Sequence, residues 1–189
     1  MILTITGPET IQARDEEVTY TLSGKDMKQL ANMILTFEIS EEYLSDPVVT
    51  AAEGWNILAK SWKDGKLNLA LYNLTGASGD GDILSVTLKI ADAEGEASIA
   101  LTYAELVAYQ GEGEVFVNAD LEGASVTTEV KRNPFDVNKD GVVDQLDMTR
   151  CQRYYGKYHE DADVDADGDV DVTDVILILL HYNENFRTE

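Results

Sequence analysis

The sequence predicts two domains: an all-β jelly-roll or immunoglobulin-like sandwich of about nine strands, followed by a small all-α module. Three observations predict this. Residues 1–130 alternate apolar and polar side chains in short runs that glycine-containing turns separate. Residues 136–189 contain two acidic segments of twelve residues, each followed by a helical pattern. The two segments begin 27 residues apart and share one register, so they form an internal repeat.

The strand patterns of the first domain come at regular intervals. They cover residues 2–6, 18–22, 33–39, 56–62, 66–74, 83–90, 97–109, 115–118 and 124–130. Glycine-containing turns such as 78–81 separate them, and a short helical turn is compatible with residues 41–46. Nine strands in 130 residues without a long helix are typical of a two-layer sandwich.

The charge of the chain excludes several classes of partner. The net charge is −22, from 36 acidic and 14 basic residues. Binding to nucleic acid or to anionic lipid needs a basic face, so neither is expected. The longest apolar run, residues 175–180, is far too short to span a membrane, and no secretory signal opens the sequence. Since 44% of residues are hydrophobic, the acidity does not indicate disorder.

The two acidic segments have the oxygen spacing of calcium loops. Such loops place ligands at positions 1, 3, 5, 7, 9 and 12, with a glycine at position 6. The first set is Asp136, Asn138, Asp140, Val142 through its carbonyl, Asp144 and Asp147. The second set is Asp163, Asp165, Asp167, Asp169 through its carbonyl, Asp171 and Asp174. Hard oxygen ligands suit calcium and disfavour zinc or copper, so the sequence predicts two Ca²⁺ ions as cofactors.

Each loop is followed by a helix, but neither is preceded by one. The patterns predict helices over residues 146–155 and 172–182, and Gly156 ends the first. Pro134 disfavours a helix that enters the first loop. Each repeat therefore corresponds to the second half of an EF-hand, a loop followed by a helix. Aspartate at position 12, where sensor EF-hands have glutamate, agrees with this interpretation.

Residues 135–184, with both loops and both helices, resemble a type I dockerin, a module that docks on cohesins. The resemblance implies a three-helix fold that requires calcium, over residues 136–189, behind a short linker at 131–135. By position, it implies partner contacts at Gln145, Leu146, Gln152, Arg153, Lys157, Val172, Thr173, Leu179, Leu180 and Glu184. The two repeats differ from each other, and both lack the family's serine–threonine pair. The sequence therefore does not favour symmetric docking in two orientations.

The first domain resembles a cohesin in pattern, although it carries no signature motif. Residues 31–44, 82–90 and 97–118 are similar to cohesin strands. The resemblance implies a nine-stranded jelly roll over residues 1–130 that uses one flat sheet face to hold a dockerin. The candidate residues on that face are Thr36, Glu38, Asn68, Ala70 and Tyr72.

Two other interpretations remain open for the sandwich. It could be an immunoglobulin-like spacer, or it could be a cohesin on which the chain's own dockerin packs, so that the pair acts as one structural spacer. It could also be a carbohydrate-binding module that stacks sugars on Trp55, Trp62 and Tyr72. Large aromatic side chains dominate sandwich cores, so each tryptophan by itself is expected to be buried.

Catalysis finds little support in the sequence. Both histidines, His159 and His181, lie outside the sandwich, and Cys151 lies on an apolar helical stripe, where it is expected to be packed. The sequence thus predicts a non-catalytic adaptor of a bacterial, extracellular or cell-surface, cellulosome-like assembly that degrades polysaccharide. Its expected partners are proteins that bear cohesins or dockerins, by inter- or intramolecular docking, with polysaccharide association as the alternative.

Overall fold

The chain divides into two units. The computed structural model describes residues 1–13, 17–91, 93–111 and 113–182. The first unit consists of Met1–Ile11 and Glu16–Val130, and the second of Gln12–Asp15 and Lys131–Glu189. The described residues contain ten strands in a β-sandwich and two helices. The strands are β1 (Ile2–Thr6), β2 (Thr10–Gln12), β3 (Val18–Ile39), β4 (Leu44–Ala51), β5 (Asn56–Lys63), β6 (Lys66–Ile90), β7 (Gly95–Gln110), β8 (Gly113–Val117), β9 (Asp120–Gly123) and β10 (Ser125–Lys131).

Two long bent strands, β3 and β6, connect the layers of the sandwich. Residues 18–24 of β3 pair with 81–88 of β6, and residues 32–38 pair with 66–72. The register shifts repeatedly between these two paired regions. The first pair of segments is flanked by β1 and β4, and the second by β7 and β5. One strand therefore contributes to both layers.

The prediction of separate strands at 18–22 and 33–39, and at 66–74 and 83–90, was wrong in this respect. The glycine-containing segment 78–81 bends β6 without reversing the chain, because Gly79 still pairs with Met27 and Ala77 with Leu30. Positive φ values at Asp26 (56°) and Gly79 (85°) provide the bend. Glycine marked the irregularity, but the sequence did not distinguish a bend from a turn.

The short helical turn expected near residues 41–46 is present in the first part of that segment, before a strand begins. A short turn is closed by hydrogen bonds from the backbone N–H groups of Tyr43 and Leu44 to the Ser40 carbonyl. The chain then enters β4 at Leu44, a strand the sequence pattern did not predict. The strands β2 and β9 were missed as well, because three or four residues are too few to show a period.

The sandwich core follows from alternation along the strands. Its largest fully buried side chains include Tyr20, Phe37, Leu3, Leu22, Leu30, Met33, Leu35, Leu67, Leu69 and Ile83. The Tyr20 hydroxyl lies 2.8 Å from Thr128 Oγ1, which donates to the Pro8 carbonyl. Trp55 is buried in the core, as expected for a large aromatic side chain, and Trp62 is half-buried. A sugar-stacking strip that includes Trp55 is therefore wrong.

The second unit contains α1 (Gln145–Gln152) and α2 (Val172–Leu180), which lie within the two predicted helices. Its core is small and apolar: Val137, Val143, Met148, Cys151, Ala162, Val170 and Ile178, with Phe135, Tyr154, Val164 and Val175 packed against them. The implied three-helix fold is wrong for the described residues. The described segment between the two helices contains turns instead, one of which is closed by hydrogen bonds from the Ala162 and Asp163 N–H groups to the His159 carbonyl. Neither described helix has the length and apolar character needed to cross a membrane.

Candidate calcium loops and docking faces

In the first loop, side-chain oxygens accept hydrogen bonds from the loop's own backbone. The Asp136 carboxylate accepts from the N–H groups of Asp140 (3.1 Å) and Gly141 (2.8 Å). Asn138 Oδ1 accepts from the Asp140 N–H (2.8 Å), and Asp140 Oδ1 from the Val142 N–H (3.1 Å). These bonds wrap the backbone around the oxygens of positions 1, 3 and 5.

The second loop repeats this pattern 27 residues later. The Asp163 carboxylate accepts from the N–H groups of Asp167 (3.1 Å) and Gly168 (3.0 Å). Asp165 Oδ1 accepts from the Asp167 N–H (3.2 Å), and Asp167 Oδ1 from the Asp169 N–H (3.1 Å). Corresponding distances in the two loops differ by a few tenths of an ångström. The sequence repeat is therefore also a geometric repeat.

Both loops turn through left-handed backbone at positions 4 and 6. Gly141 has φ 90° and Gly168 has φ 104°, which glycine adopts without steric cost. Lys139 (φ 64°) and Ala166 (φ 58°) adopt the same region at position 4, although neither residue type favours it. The glycines predicted the tight turn, but nothing in the sequence predicted the strained position before it.

The position 12 carboxylates are the most buried acidic groups of the chain's described part. Asp147 is 0% exposed and Asp174 is 1% exposed. Each closes a capping box with the position 9 residue: Asp147 accepts from the Asp144 N–H (2.8 Å), and Asp174 from the Asp171 N–H (2.7 Å). Their other oxygens accept from the N–H groups of Asn138 (2.9 Å) and Val164 (2.7 Å). One side chain thus links helix start to loop start in each repeat.

The electrostatics of the loops favour a bound cation. Ligand oxygens of Asp163, Asp165 and Asp174 lie within 4.8 Å of one another. Repulsion from Asp167 raises the pKa of Asp169, and burial raises the pKa of Asp147. Carboxylates this close and this buried are costly without a compensating charge. A converging set of hard oxygens fits Ca²⁺.

The candidate docking residues of the second unit that the structure describes lie on its surface. Those that are described and exposed are Gln145, Leu146, Gln152, Arg153, Lys157, Val172, Thr173, Leu179 and Leu180. Glu184 lies outside the described residues. Of the exposed apolar candidates, Leu146 lies on α1, and the other three lie on α2, where Leu180 is 71% exposed.

Sequence reasoning missed Ile176, which is 48% exposed and lies on the same side of α2. We call Val172, Ile176, Leu179 and Leu180 the α2 stripe; they recur at i, i+4, i+7 and i+8. The opposite side of α2 contributes Asp174 and Ile178 to the interior. Because residues 175–180 are all apolar, the sequence could not show which of them face solvent. The equivalent positions of α1 are polar: Gln145, Thr149, Gln152 and Arg153.

The candidate residues of the sandwich lie on one outward sheet face. Thr36 pairs with Asn68, and the Thr36 hydroxyl donates to Asn68 Oδ1 at 2.8 Å. Glu38 forms an ion pair of 3.3 Å with Lys66. Ala70 and Tyr72 alternate with buried residues of β6 and lie on the same side as Asn68. The structure therefore places all five candidates on β3 and β6 of one layer.

Three exposed apolar side chains on this face were missed: Ile34 (48% exposed), Tyr103 (49%) and Phe116 (78%). Ile34 pairs with Ala70 on one side and Glu105 on the other, and Tyr103 pairs with Thr36. The Tyr103 hydroxyl donates to Glu105 Oε2 at 3.1 Å, and this hydrogen bond raises the pKa of Tyr103. Alternation along β3, β7 and β8 was the signal that could have identified them. The outward face is thus more apolar than predicted.

Cys151 is buried, which confirms the expectation that it is packed. Its Sγ lies 3.6 Å from the Ala162 carbonyl oxygen. Burial, followed by the nearby Asp174 carboxylate, raises the pKa of the thiol to about 11. A protonated, buried thiol is a poor nucleophile.

Comparisons with known proteins agree with this geometry. Residues 134–181 match the family described as dockerin type I domain. The cohesin module of a family 33 glycoside hydrolase from Clostridium perfringens is similar at 18% identity and a TM-score of 0.59, covering 70% of this chain and 97% of that one. The seventh ScaB type I cohesin from Pseudobacteroides cellulosolvens is similar at 12% identity and a TM-score of 0.58, covering 70% and 94%. A type I cohesin–dockerin complex from Clostridium thermocellum matches at 13% identity and a TM-score of 0.50, covering 69% and 100%. No curated protein matches the chain.

Identities this low show the fold of the first unit, while the family match covers the repeat of the second. Cohesins and dockerins are non-catalytic modules for docking between proteins, and type I dockerins bind calcium. The chain therefore carries a dockerin type I domain at residues 134–181, and its N-terminal 130 residues have a cohesin-like fold.

Proposed function

We propose that this chain is a non-catalytic adaptor of an extracellular or cell-surface, polysaccharide-degrading assembly of cellulosome type. Its second unit docks on a cohesin of another protein, and its sandwich offers a face for another dockerin. The observation that carries the proposal is the α2 stripe, an exposed apolar surface on a dockerin domain. Contiguous apolar surface of this kind marks sites of protein interaction.

Two calcium ions hold the second unit in its docking form. The first is bound by Asp136, Asn138, Asp140, Val142, Asp144 and Asp147, and the second by Asp163, Asp165, Asp167, Asp169, Asp171 and Asp174. Support comes from the matched hydrogen-bond patterns of the two loops and from the burial of both position 12 carboxylates. Because the core of this unit contains only a few apolar side chains, ion binding contributes a large share of its folding free energy.

The stripe docks on an apolar sheet face, and α2 carries more of the contact than α1. The support is the difference between the helices at equivalent positions: Ile176 on α2 corresponds to Thr149 on α1, and Leu180 corresponds to Arg153. Burying the α2 stripe removes apolar surface from water, which contributes a favourable binding free energy of about 25 cal/mol per Å². The polar positions of α1 offer no comparable gain. One docking orientation is therefore favoured over its symmetric alternative.

The experiment measures binding of the full chain to a panel of immobilised type I cohesins in calcium and in chelator. Ile176→Asp should abolish the calcium-dependent signal, because it introduces a charge into the stripe. Thr149→Asp is the matched control, since it changes the equivalent exposed position of the other helix. Equal loss in both variants would contradict the assignment to α2. Absence of binding across the panel would contradict docking on type I cohesins.

A further inference from the structure

An ion pair joins the first calcium loop to the segment that leads into the second. Lys139 Nζ lies 2.7 Å from Asp161 Oδ1, and the two side chains are 34% and 31% exposed. The pair is therefore partly shielded from solvent, and it connects residues of different repeats. Lys139 is a loop residue, while Asp161 belongs to the turn between the repeats.

Closure of the first loop determines where the Lys139 side chain lies. Lys139 occupies position 4, between the candidate ligands Asn138 and Asp140, with its backbone in the left-handed region. Both neighbours are held by the hydrogen bonds of the loop. When the carboxylates of the first loop repel each other, the loop opens. The backbone at Lys139 then no longer directs the side chain towards Asp161.

The position of Asp161 connects closure of the first loop to the second loop. Its turn is closed by two hydrogen bonds of 2.9 Å, from the N–H groups of Ala162 and Asp163 to the His159 carbonyl. Asp163, the first candidate ligand of the second loop, is thus part of the same turn. When the ion pair with Lys139 holds this turn in place, Asp163 lies in the position from which it can bind the ion.

The first repeat makes two further contacts, one with the second loop and one with the residue before that loop. The Gly156 N–H, just beyond α1, donates to the Val170 carbonyl at position 8 of the second loop (2.7 Å). Cys151 Sγ on α1 lies 3.6 Å from the carbonyl oxygen of Ala162, the residue before Asp163. Position 4 of the second loop is Ala166, which has no charge to form a reciprocal pair.

We propose that Lys139 and Asp161 are positioning residues that couple the two calcium loops, so that an ion in one loop raises the affinity of the other. The inference rests on the proposed function, in which both loops bind calcium. Since coupling is reciprocal, an ion in the second loop strengthens the first by the same factor. A partly exposed ion pair supports a coupling of about two- to five-fold.

The experiment titrates the full chain with calcium and follows the backbone amide resonances of Gly141 and Gly168 by NMR, one for each loop. In the wild type, both resonances should titrate with a Hill coefficient above one. Asp161→Asn should lower that coefficient towards one and raise the calcium midpoint at Gly168 by about two- to five-fold. Glu160→Gln, which removes the adjacent exposed charge, is the matched control and should leave the coefficient unchanged.

Lys139→Met completes a double-mutant cycle and separates coupling from simple charge effects. It removes a positive charge from the first loop, so the intrinsic calcium affinity there should rise while cooperativity falls. The double variant should show no greater loss of cooperativity than Asp161→Asn alone, because both residues act as one pair.

Additive losses, or an unchanged Hill coefficient in both single variants, would overturn the inference. No saturable shift at either glycine in the wild type would instead overturn the proposed calcium loops. Far-UV circular dichroism in saturating calcium verifies that each variant is folded.

Discussion

The phenyl ring of Phe135 stacks on the imidazole of His181, with ring centroids 3.8 Å apart and planes 7° from parallel. Phe135 directly precedes the first loop, and His181 directly follows α2. The stack therefore joins the beginning and the end of the dockerin repeat. Phe135 also packs against the small core of this unit, so the contact adds apolar burial where little is available.

Phe135→Ala should reduce the free energy of unfolding of the second unit by about 3 kcal/mol, because it removes a packed ring and the stacking contact of that ring with His181. Urea titration in saturating calcium, followed by the amide resonances of α2, measures the change. Tyr158→Ala removes an exposed ring from the same unit and should cost much less. Equal effects of the two substitutions would contradict the stabilising role of the stack.

Asp174→Asn should disrupt the second loop although it preserves the size of the side chain. The buried carboxylate completes the capping box of α2 and is a candidate bidentate ligand, whose charge a bound Ca²⁺ ion would compensate. Removing one partner of a buried charge pair costs about 3–5 kcal/mol. Differential scanning calorimetry should show a lowered melting temperature that calcium raises much less than in the wild type. An unchanged calcium-dependent rise would argue against Asp174 as a ligand.

Cys151 should report on calcium-dependent folding. With calcium bound, its fully buried side chain should resist alkylation by iodoacetamide at neutral pH. Chelation should expose it and speed labelling by at least about tenfold, since a unit with this small a core loses its packing without metal. Mass spectrometry of the intact chain over time measures the rate. Rapid labelling in saturating calcium would contradict the burial.

Tyr20→Phe should destabilise the sandwich by about 1 kcal/mol, because it removes the buried hydrogen bond that Tyr20 donates to Thr128. Burial also raises the pKa of Tyr20 above its ordinary value of 10.0. The neutral phenol is thus favoured in the folded state, so this stabilisation is complete below pH 10 and is lost as the pH rises further. Thermal unfolding between pH 7 and pH 11 measures the loss, which should be smaller in Tyr20→Phe. Tyr109→Phe, at a half-buried position of β7, is the control.

Ile34→Asp should abolish capture of a dockerin by the sandwich, because it places a charge at the centre of the outward apolar face. Val48→Asp introduces the same charge at an exposed position of β4, a strand that flanks the other half of β6, and should leave capture intact. Binding of the full-length variants to a panel of type I dockerins measures both. Capture that survives Ile34→Asp would contradict the assignment of this face.

Much of the candidate site was predictable because its determinants are local. The oxygens of a calcium loop come from residues at most eleven positions apart, so their spacing is visible in the sequence. The hydrogen bonds of Asp136 and Asp163 then follow from the same short segments. Alternation likewise predicted most strands, and the apolar environment of Cys151 predicted its burial.

The features that the sequence did not predict depend on contacts between residues far apart in the chain. Local periodicity carries no information on such contacts. The sequence by itself determined the two oxygen-rich loops, the helices after them and the alternating strands. Only the tertiary structure decided that β3 and β6 bend through both layers, that Ile176 faces solvent while Ile178 is buried, and that Lys139 reaches Asp161. Each of these is decided by packing between segments far apart in the chain, which selects one arrangement among several that satisfy the same local pattern.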